Sequence, residues 1–274
     1  VTASALTSFG HGPVAAYEVM LALGACALVT VVAGRVAQDR LPRPRAFLWL
    51  AGTYVAAIAG ARIGFAVTWL PSWSDALAAL TRPDAAGFSS FGALGAAAPI
   101  GWLLARRLRL PFERLVGPLV VGGCALGALL RVGCFLAGCC HGRPTTLPWG
   151  IVDAGGAAAQ AFGTGVAVHP SPLYESALLA VIALWLARSC GRAERPARVP
   201  SETTAAAWAV AAYLAGRFGL EFLRFHPATY AELSVAQWLC ALLLAMAAGW
   251  AALRSTGRRT PAGFGVYGRW RTTA

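Results

Sequence analysis

Val116-Gly-Pro-Leu-Val-Val-Gly-Gly-Cys-Ala-Leu-Gly-Ala-Leu-Leu-Arg131-Val-Gly-Cys-Phe-Leu-Ala-Gly-Cys-Cys-His-Gly-Arg143 is the stretch that decides the fold. From Leu115 to Leu130 it carries no charge. A helix needs about 20 predominantly apolar residues to cross roughly 30 Å of hydrocarbon. The run is therefore read as a membrane span over residues 115–136, with Arg131 inside it and a cluster of Gly, Cys and His just beyond.

The rest of the chain agrees with that reading. Of 274 residues, 58% are hydrophobic and 12% charged, and mean hydropathy is +0.61, far above a water-soluble domain. Six further apolar windows fall at 14–34, 46–70, 88–105, 172–188, 203–224 and 233–253, so an all-α, polytopic membrane protein with seven transmembrane helices is expected. It forms a single transmembrane domain over 1–274, with an outer loop at 137–171. The first window lacks a basic leader and is followed by Arg35 and Arg40, so it is read as a retained helix.

All 23 basic residues are arginine, set against 11 acids for a net charge of +12. No basic stretch is interleaved with exposed aromatics, which excludes a nucleic-acid-binding platform. The arginines instead flank the apolar windows. Arg35, Arg40, Arg43 and Arg45 follow the first, and Arg106, Arg107, Arg109 and Arg114 the third. Arg188, Arg192, Arg195 and Arg198 follow the fifth, and Arg254, Arg258, Arg259, Arg269 and Arg271 the seventh. Short cytoplasmic loops retain arginine, so this alternation places the N-terminus outside and the C-terminus in the cytoplasm.

The remaining arginines are Arg62, Arg82, Arg131, Arg143, Arg217 and Arg224. Arg82 belongs to an outer loop. Arg62, Arg131 and Arg217 lie inside spans, where each costs about 2.5 to 3.5 kcal/mol even on a lenient insertion scale. Arg217, Glu221 and Arg224, spaced four and three apart, are expected on one helical face. Pairing within this face is one reading. The other is that arginines in excess of acids hold an anion at membrane depth, for which a phospholipid headgroup is suited. In the 137–171 loop, Gly138 and Gly142 let the backbone turn or approach a ligand. A polar loop at membrane depth requires a surrounding of protein or water.

Several segments together resemble the prolipoprotein diacylglyceryl transferase family: Arg131-Val-Gly-x-Phe-x-x-Gly138, Gly142-Arg-Pro-Thr145, Leu147-Pro-Trp-Gly150, His169-Pro-Ser-x-Leu-Tyr-Glu175 and Arg217-Phe-x-x-Glu221-Phe-x-Arg224. Gly12-Pro13 with Tyr17, Gly60-Ala-Arg62-Ile-Gly64 and the 87–95 segment extend the likeness over nearly the whole chain. The resemblance implies a bacterial inner-membrane enzyme that moves a diacylglyceryl group from phosphatidylglycerol to the lipobox cysteine thiol of a preprolipoprotein, releasing glycerol phosphate. Its partners would be phosphatidylglycerol, preprolipoprotein signal peptides and membrane lipids. No cofactor or metal is implied. Arg131, Arg217, Glu221 and Tyr17 match the family's catalytic positions; Arg62, Gly142, Arg143, His169 and Arg224, with Cys134 and Cys139, would contact substrate. Arg131 and Arg217 would hold the phosphate and Glu221 would orient Arg217, in a site built from the third, fourth and sixth spans.

The chain departs from that pattern where the family has His-Gly-Gly and this sequence has Phe91-Gly92-Ala93. Cys134 stands for the family's Asn, and Cys139, followed by Cys140 and His141, for its Glu. Phenylalanine cannot transfer protons. A thiol's ordinary pKa of about 8.5 falls beside arginine, so a cationic pocket could activate the acceptor without that histidine. Cys26, Cys124, Cys190 and Cys240 sit in or beside apolar helices as small hydrophobes. For Cys134, Cys139, Cys140 and His141 three readings stay open: packing, disulfide or thiol exchange, and soft-metal binding, though the spacing fits no standard zinc pattern. His169 and Glu175 are expected to fix the loop. Alternatives to the transferase are a paralogue using Cys134 or Cys139 for thiol chemistry and a non-catalytic binder of lipid or signal peptide.

Reporter fusions or cysteine-accessibility mapping should place Arg40, Arg109, Arg195 and the C-terminus in the cytoplasm. A periplasmic C-terminus would contradict the seven-span topology.

Overall fold

The computed structural model describes residues 12–69, 87–152, 157–190, 201–225 and 230–255. Arg82, Arg192, Arg195, Arg198, Arg258, Arg259, Arg269 and Arg271 lie outside the described residues, as do positions 153–156 of the loop.

The long helices, in chain order, are α1 (Gly12–Gln38), α2 (Arg43–Trp69), α3 (Ser90–Arg107) and α4 (Phe112–Leu136), then α6 (Ser171–Cys190), α7 (Glu202–Leu220) and α8 (Val235–Ser255). Each covers one of the seven expected windows. Four of them, over Ala16–Gln38, Arg43–Val67, Phe112–Leu136 and Ser171–Cys190, are long and apolar enough to cross a membrane by length and composition. Their outward faces carry exposed apolar side chains such as Leu23, Val55, Val67 and Leu184, as a multi-pass membrane protein requires. Caps mark the starts: Ser89 Oγ accepts from the Gly92 amide at 3.3 Å, and Ser201 Oγ from the Thr204 amide at 3.2 Å, satisfying donors that a first helical turn leaves free.

Helix α4 is the central element. It packs along α1 on one side and α6 on another, while α2 pairs with α3 and α7 lies between α6 and α8. One core cluster joins Leu28, Val32 and Val36 of α1 to Trp49 of α2, Ala105 of α3 and Leu115 of α4. A second joins Val121 of α4, Ile182 and Leu186 of α6, and Ala205, Ala206 and Ala209 of α7. The fully buried Trp49 indole donates to the Gly101 carbonyl at 2.7 Å, so its polar edge is satisfied away from water. Gly60 and Gly92 let α2 and α3 touch: a Cβ on either would collide with the other's carbonyl.

One expectation is refined and a second is corrected. The fold is mostly rather than wholly helical, because the 137–171 loop has structure of its own: β1 (Ile151–Val152) pairs antiparallel with β2 (Ala167–Val168), and α5 (Ala157–Phe162) lies between them in sequence. Where such a loop is buried it must satisfy its own backbone groups. Arg217, Glu221 and Arg224 also do not share one helical face. Helix α7 ends at Leu220, residues 221–223 tighten into a 3-10 turn, and Arg224 is extended at φ −90°, ψ 152°. The change lets Arg224 bridge to Gly142 as an isolated antiparallel pair, and the loop is thereby tied to the bundle.

Candidate active site

Pro170 ends the loop and α6 starts at Ser171, which places Glu175 on the first turns of α6 with its side chain inside the bundle, only 1% exposed. A carboxylate so buried persists in charged form only if cations and hydrogen bonds replace its water. Three arginines do so. Arg131 Nε from α4 lies 3.0 Å from Oε2, Arg224 Nη1 lies 3.4 Å from the same oxygen, and Arg217 Nε from α7 lies 3.5 Å from Oε1. The Tyr213 hydroxyl donates to Oε1 at 3.0 Å.

Arg217 also pairs through Nη1 with Glu221, which is 2% exposed. Glu221 in turn accepts from the Ser234 hydroxyl at 2.9 Å. Ser234 and Gln237 form a capping box at the start of α8: the Ser234 amide donates to the Gln237 side chain at 2.9 Å and the Gln237 amide to Ser234 Oγ at 3.2 Å. The cap of α8 thus holds Glu221, which holds Arg217. Among the described residues, Arg217 Nε has no hydrogen-bond partner; at 3.5 Å its approach to Glu175 is an ion pair only, so a buried N–H donor is left aimed into the cluster.

The loop closes over this cluster through its backbone. The Gly142 amide donates to the His169 carbonyl at 3.0 Å, the Arg143 amide to Leu223 at 2.9 Å, and the His169 amide back to Arg143 at 3.0 Å. A Cβ at position 142 would sit 2.5 Å from His169 Cβ and 2.7 Å from the Leu223 carbonyl, so only glycine permits this approach. Arg143 is exposed and donates through Nε to the Arg224 carbonyl at 3.2 Å. His169 Nδ1 lies 3.3 Å from the Tyr174 hydroxyl, which accepts from the Trp149 indole at 2.7 Å. Tyr17 on α1 packs on Gly133 of α4, its Cα 3.2 Å from where a Cβ would stand. Arg62 lies over the Phe88 ring at 5.3 Å.

Beside Arg131, the sulfurs of Cys134, Cys139 and Cys140 lie within 4.8 Å of one another. Cys140 Sγ is 4.0 Å from Arg131 Nη1. Hydrogen bonds from the Cys134 and Cys139 thiols, aided by the Arg224 and Arg131 guanidiniums and opposed by burial, hold the Cys140 thiol well below its ordinary value. His141 is not part of the group: its ring stacks on Phe225 at 5.9 Å and meets Phe162 edge-on at 5.7 Å.

Arg131, Arg217, Arg224 and Glu221 are thus brought together with two residues that sequence reasoning left out of the site. Tyr213 gave no signal beyond being one more aromatic in an apolar helix. Glu175 was expected to fix the loop; it turns from the loop and becomes the centre of the ion cluster. The cluster is built from α4, α6 and α7, the fourth, fifth and sixth windows, and α8 buttresses it, whereas the third window was expected to contribute.

A multi-pass helical membrane protein with a buried arginine–carboxylate cluster under a folded loop is the class that fold and site define. The chain belongs to the prolipoprotein diacylglyceryl transferase family, whose model matches residues 4–253. It is 35% identical over 145 residues to the phosphatidylglycerol–prolipoprotein diacylglyceryl transferase of Clostridium tetani, a match covering 52% of this chain and 53% of that one. The Geobacter sulfurreducens protein of that name is 36% identical over 141 residues, 50% and 48% of the two chains. The Polynucleobacter necessarius protein is 30% identical over 220 residues, 73% of this chain and 77% of that one. The matched region spans about half the length of the Clostridium and Geobacter relatives.

Removing one partner of a buried charge network typically costs about 3 to 5 kcal/mol. Glu175→Gln is therefore expected to lower the thermal unfolding midpoint in detergent markedly, and Arg143→Ala, at an exposed site, to leave it nearly unchanged. Equal midpoints for wild type and Glu175→Gln would mean that the arginines do not depend on this carboxylate.

Proposed function

We infer that the protein transfers a diacylglyceryl group from phosphatidylglycerol to the lipobox cysteine thiol of a prolipoprotein. The observation that carries this is the buried, unsatisfied Arg217 Nε donor, set in a cluster where three guanidinium groups face two carboxylates. Among these five side chains one positive charge is left over, and a phosphate would balance it. Family membership supplies the donor and acceptor.

In this reading Arg131 and Arg217 bind the phosphodiester, with Glu175 and Glu221 acting as positioning residues that fix the two guanidiniums before substrate arrives. The acceptor sulfur attacks the glycerol carbon that bears the phosphate ester. A carbon–sulfur bond forms, the carbon–oxygen bond breaks, and the electron pair leaves on glycerol phosphate, whose new charge the arginines stabilise. Donors preorganised at the point of developing charge are the largest single contribution to such steps. Gly142, Arg143, His169 and Arg224 frame the loop edge through which headgroup and signal peptide would enter, with Tyr17 and Cys134 on the α1–α4 side and Cys139 beyond it. Arg62, over Phe88, faces headgroup chemistry near α3. The protein sits in the bacterial inner membrane with seven spans, its N-terminus outside and its C-terminus in the cytoplasm, the orientation that the arginine alternation favours.

The test is complementation of a strain depleted of its own transferase, with mass spectrometry of a lipoprotein N-terminus. Wild type is expected to restore the diacylglyceryl mass. Arg217→Ala and Arg131→Ala, each removing a phosphate-binding charge, are expected to reduce transfer at least 100-fold, equivalent to about 3 kcal/mol of lost transition-state stabilisation. A wild-type protein that binds phosphatidylglycerol without transferring would show a binder instead.

A further inference from the structure

We propose that Cys140 and Cys134 form a thiol–disulfide exchange site, in which Cys140 attacks a low-molecular-weight disulfide and Cys134 resolves the adduct into an internal bridge. The exchange stands independently of the transferase reading. Its effect on Arg131 as a phosphate ligand rests on that reading.

The end of α4 brings the thiols together. It closes in a Schellman motif: the Cys139 amide donates to the Cys134 carbonyl at 3.0 Å and the Gly138 amide to the Phe135 carbonyl at 3.1 Å, with Gly138 left-handed at φ 68°. This cap folds the chain back over the last turn of the helix, where Cys134 sits. Cys140 is left-handed as well, at φ 59°, a conformation that a β-carbon disfavours. The Ser171 hydroxyl of α6 anchors it there by donating to the Cys140 carbonyl at 2.8 Å. The sulfurs of Cys134, Cys139 and Cys140 consequently lie within 4.8 Å of one another, close enough for side-chain rotation to join a pair.

Position assigns the roles within the cluster. Cys140 Sγ stands 4.0 Å from Arg131 Nη1. The Cys134 and Cys139 thiols donate toward it and the Arg224 and Arg131 guanidiniums lie beside it, so its thiolate is favoured in spite of burial. Exchange begins with a thiolate, which makes Cys140 the attacking sulfur. Cys139 is a poor partner for it, because neighbouring Cα atoms are about 3.8 Å apart and a disulfide usually spans about 4.4 to 6.8 Å. Cys134 remains. It is buried where Cys140 is partly exposed, the order that a resolving thiol behind an attacking one requires. Partial exposure also restricts the attacked disulfide to a small molecule.

The oxidant is the small disulfide itself. The Cys140 thiolate bonds to one of its sulfurs and the other leaves as a thiolate. The Cys134 sulfur then bonds to Cys140, its proton leaving with the second small thiol. Two protein cysteines are oxidised to one disulfide, and the external disulfide is reduced to two thiols. The charge beside Arg131 changes with it. In the dithiol state an anionic sulfur faces Nη1 and competes with any phosphate there; the bridge is neutral and leaves that edge of the guanidinium to the phosphate.

The test exposes the reduced full chain, in phosphatidylcholine nanodiscs, to glutathione disulfide. Free thiols are then blocked with one alkylating reagent, bridges reduced, and the released thiols labelled with a second. Fragmentation of the peptide carrying residues 134–140 is expected to find the second label on Cys134 and Cys140 and the first on Cys139. Cys134→Ser should stop at a glutathione adduct on Cys140, and Cys140→Ser should react about ten-fold more slowly or less at neutral pH, its remaining thiols lacking the stabilised thiolate. The wild-type label positions report the pair even if a variant misfolds. No bridge in the wild type, or a bridge that includes Cys139, overturns the proposal. Short-chain phosphatidylglycerol, titrated into both forms, should bind the oxidised one about ten-fold more tightly, since a like charge beside the phosphate has been removed. Equal affinity in the two forms overturns the effect on Arg131. A bridge that forms as described in a protein that binds no phosphatidylglycerol in either form removes the phosphate reading and leaves the exchange site standing.

Discussion

A single carboxylate buried to 1% exposure inside a helix bundle sets the terms for everything around it. Taking a charge out of water costs several kcal/mol even after relaxation, and a bundle facing lipid offers few polar groups in return. Glu175 meets that cost by collecting Arg131 from α4, Arg217 from α7 and Arg224 from the segment after it. The dependence runs both ways. Each buried guanidinium is itself expensive to desolvate, and without Glu175 three like charges would face one another across a small space. The ion cluster is therefore a joint between helices as well as a site, and the packing of α6 against α4 and α7 positions all its members.

The support for this cluster extends outward in layers. Glu221 restrains Arg217, and Ser234 restrains Glu221 from the first turn of α8. Arg224 is fixed through its backbone, which pairs with Gly142, so the loop that covers the site is stitched to the residue that completes it. Such restraint keeps long, flexible side chains in one arrangement before a ligand arrives, which is what electrostatic stabilisation of a transition state requires. The thiol group occupies the remaining edge, where Arg131 touches both Glu175 and Cys140. One arginine thus links the carboxylate cluster to the sulfur cluster.

Much of the fold was legible in the sequence because hydropathy is written in long runs. All seven windows became helices, and arginines inside spans marked the site because charge at membrane depth needs a reason. The same logic applied to acids would have found Glu175: it opens an apolar helix just after His169-Pro-Ser-Pro, and its misassignment came from grouping it with the loop. The helical spacing of Arg217, Glu221 and Arg224 misled in a different way. Periodicity describes a helix that continues, and nothing in the 217–224 stretch announces that α7 tightens into a 3-10 turn after Leu220; the reason is tertiary, the pairing of Arg224 with Gly142. The three sulfurs were visible as a cluster in sequence, yet their convergence without His141 depends on left-handed backbone at Cys140, which cysteine rarely adopts and no sequence rule assigns.

The central claim is that Glu175 and its arginines act as one unit, and a double-mutant cycle on Glu175 and Arg131 tests it most directly. Thermal unfolding of wild type, Glu175→Gln, Arg131→Gln and the double variant, in the same detergent, gives the coupling between the two side chains. The account predicts that the double variant loses far less stability than the sum of the singles, a coupling of at least about 1 kcal/mol, because the two side chains pair directly at 3.0 Å and Glu175→Gln alone leaves Arg131 facing the other arginines without this carboxylate. Additive losses would contradict it.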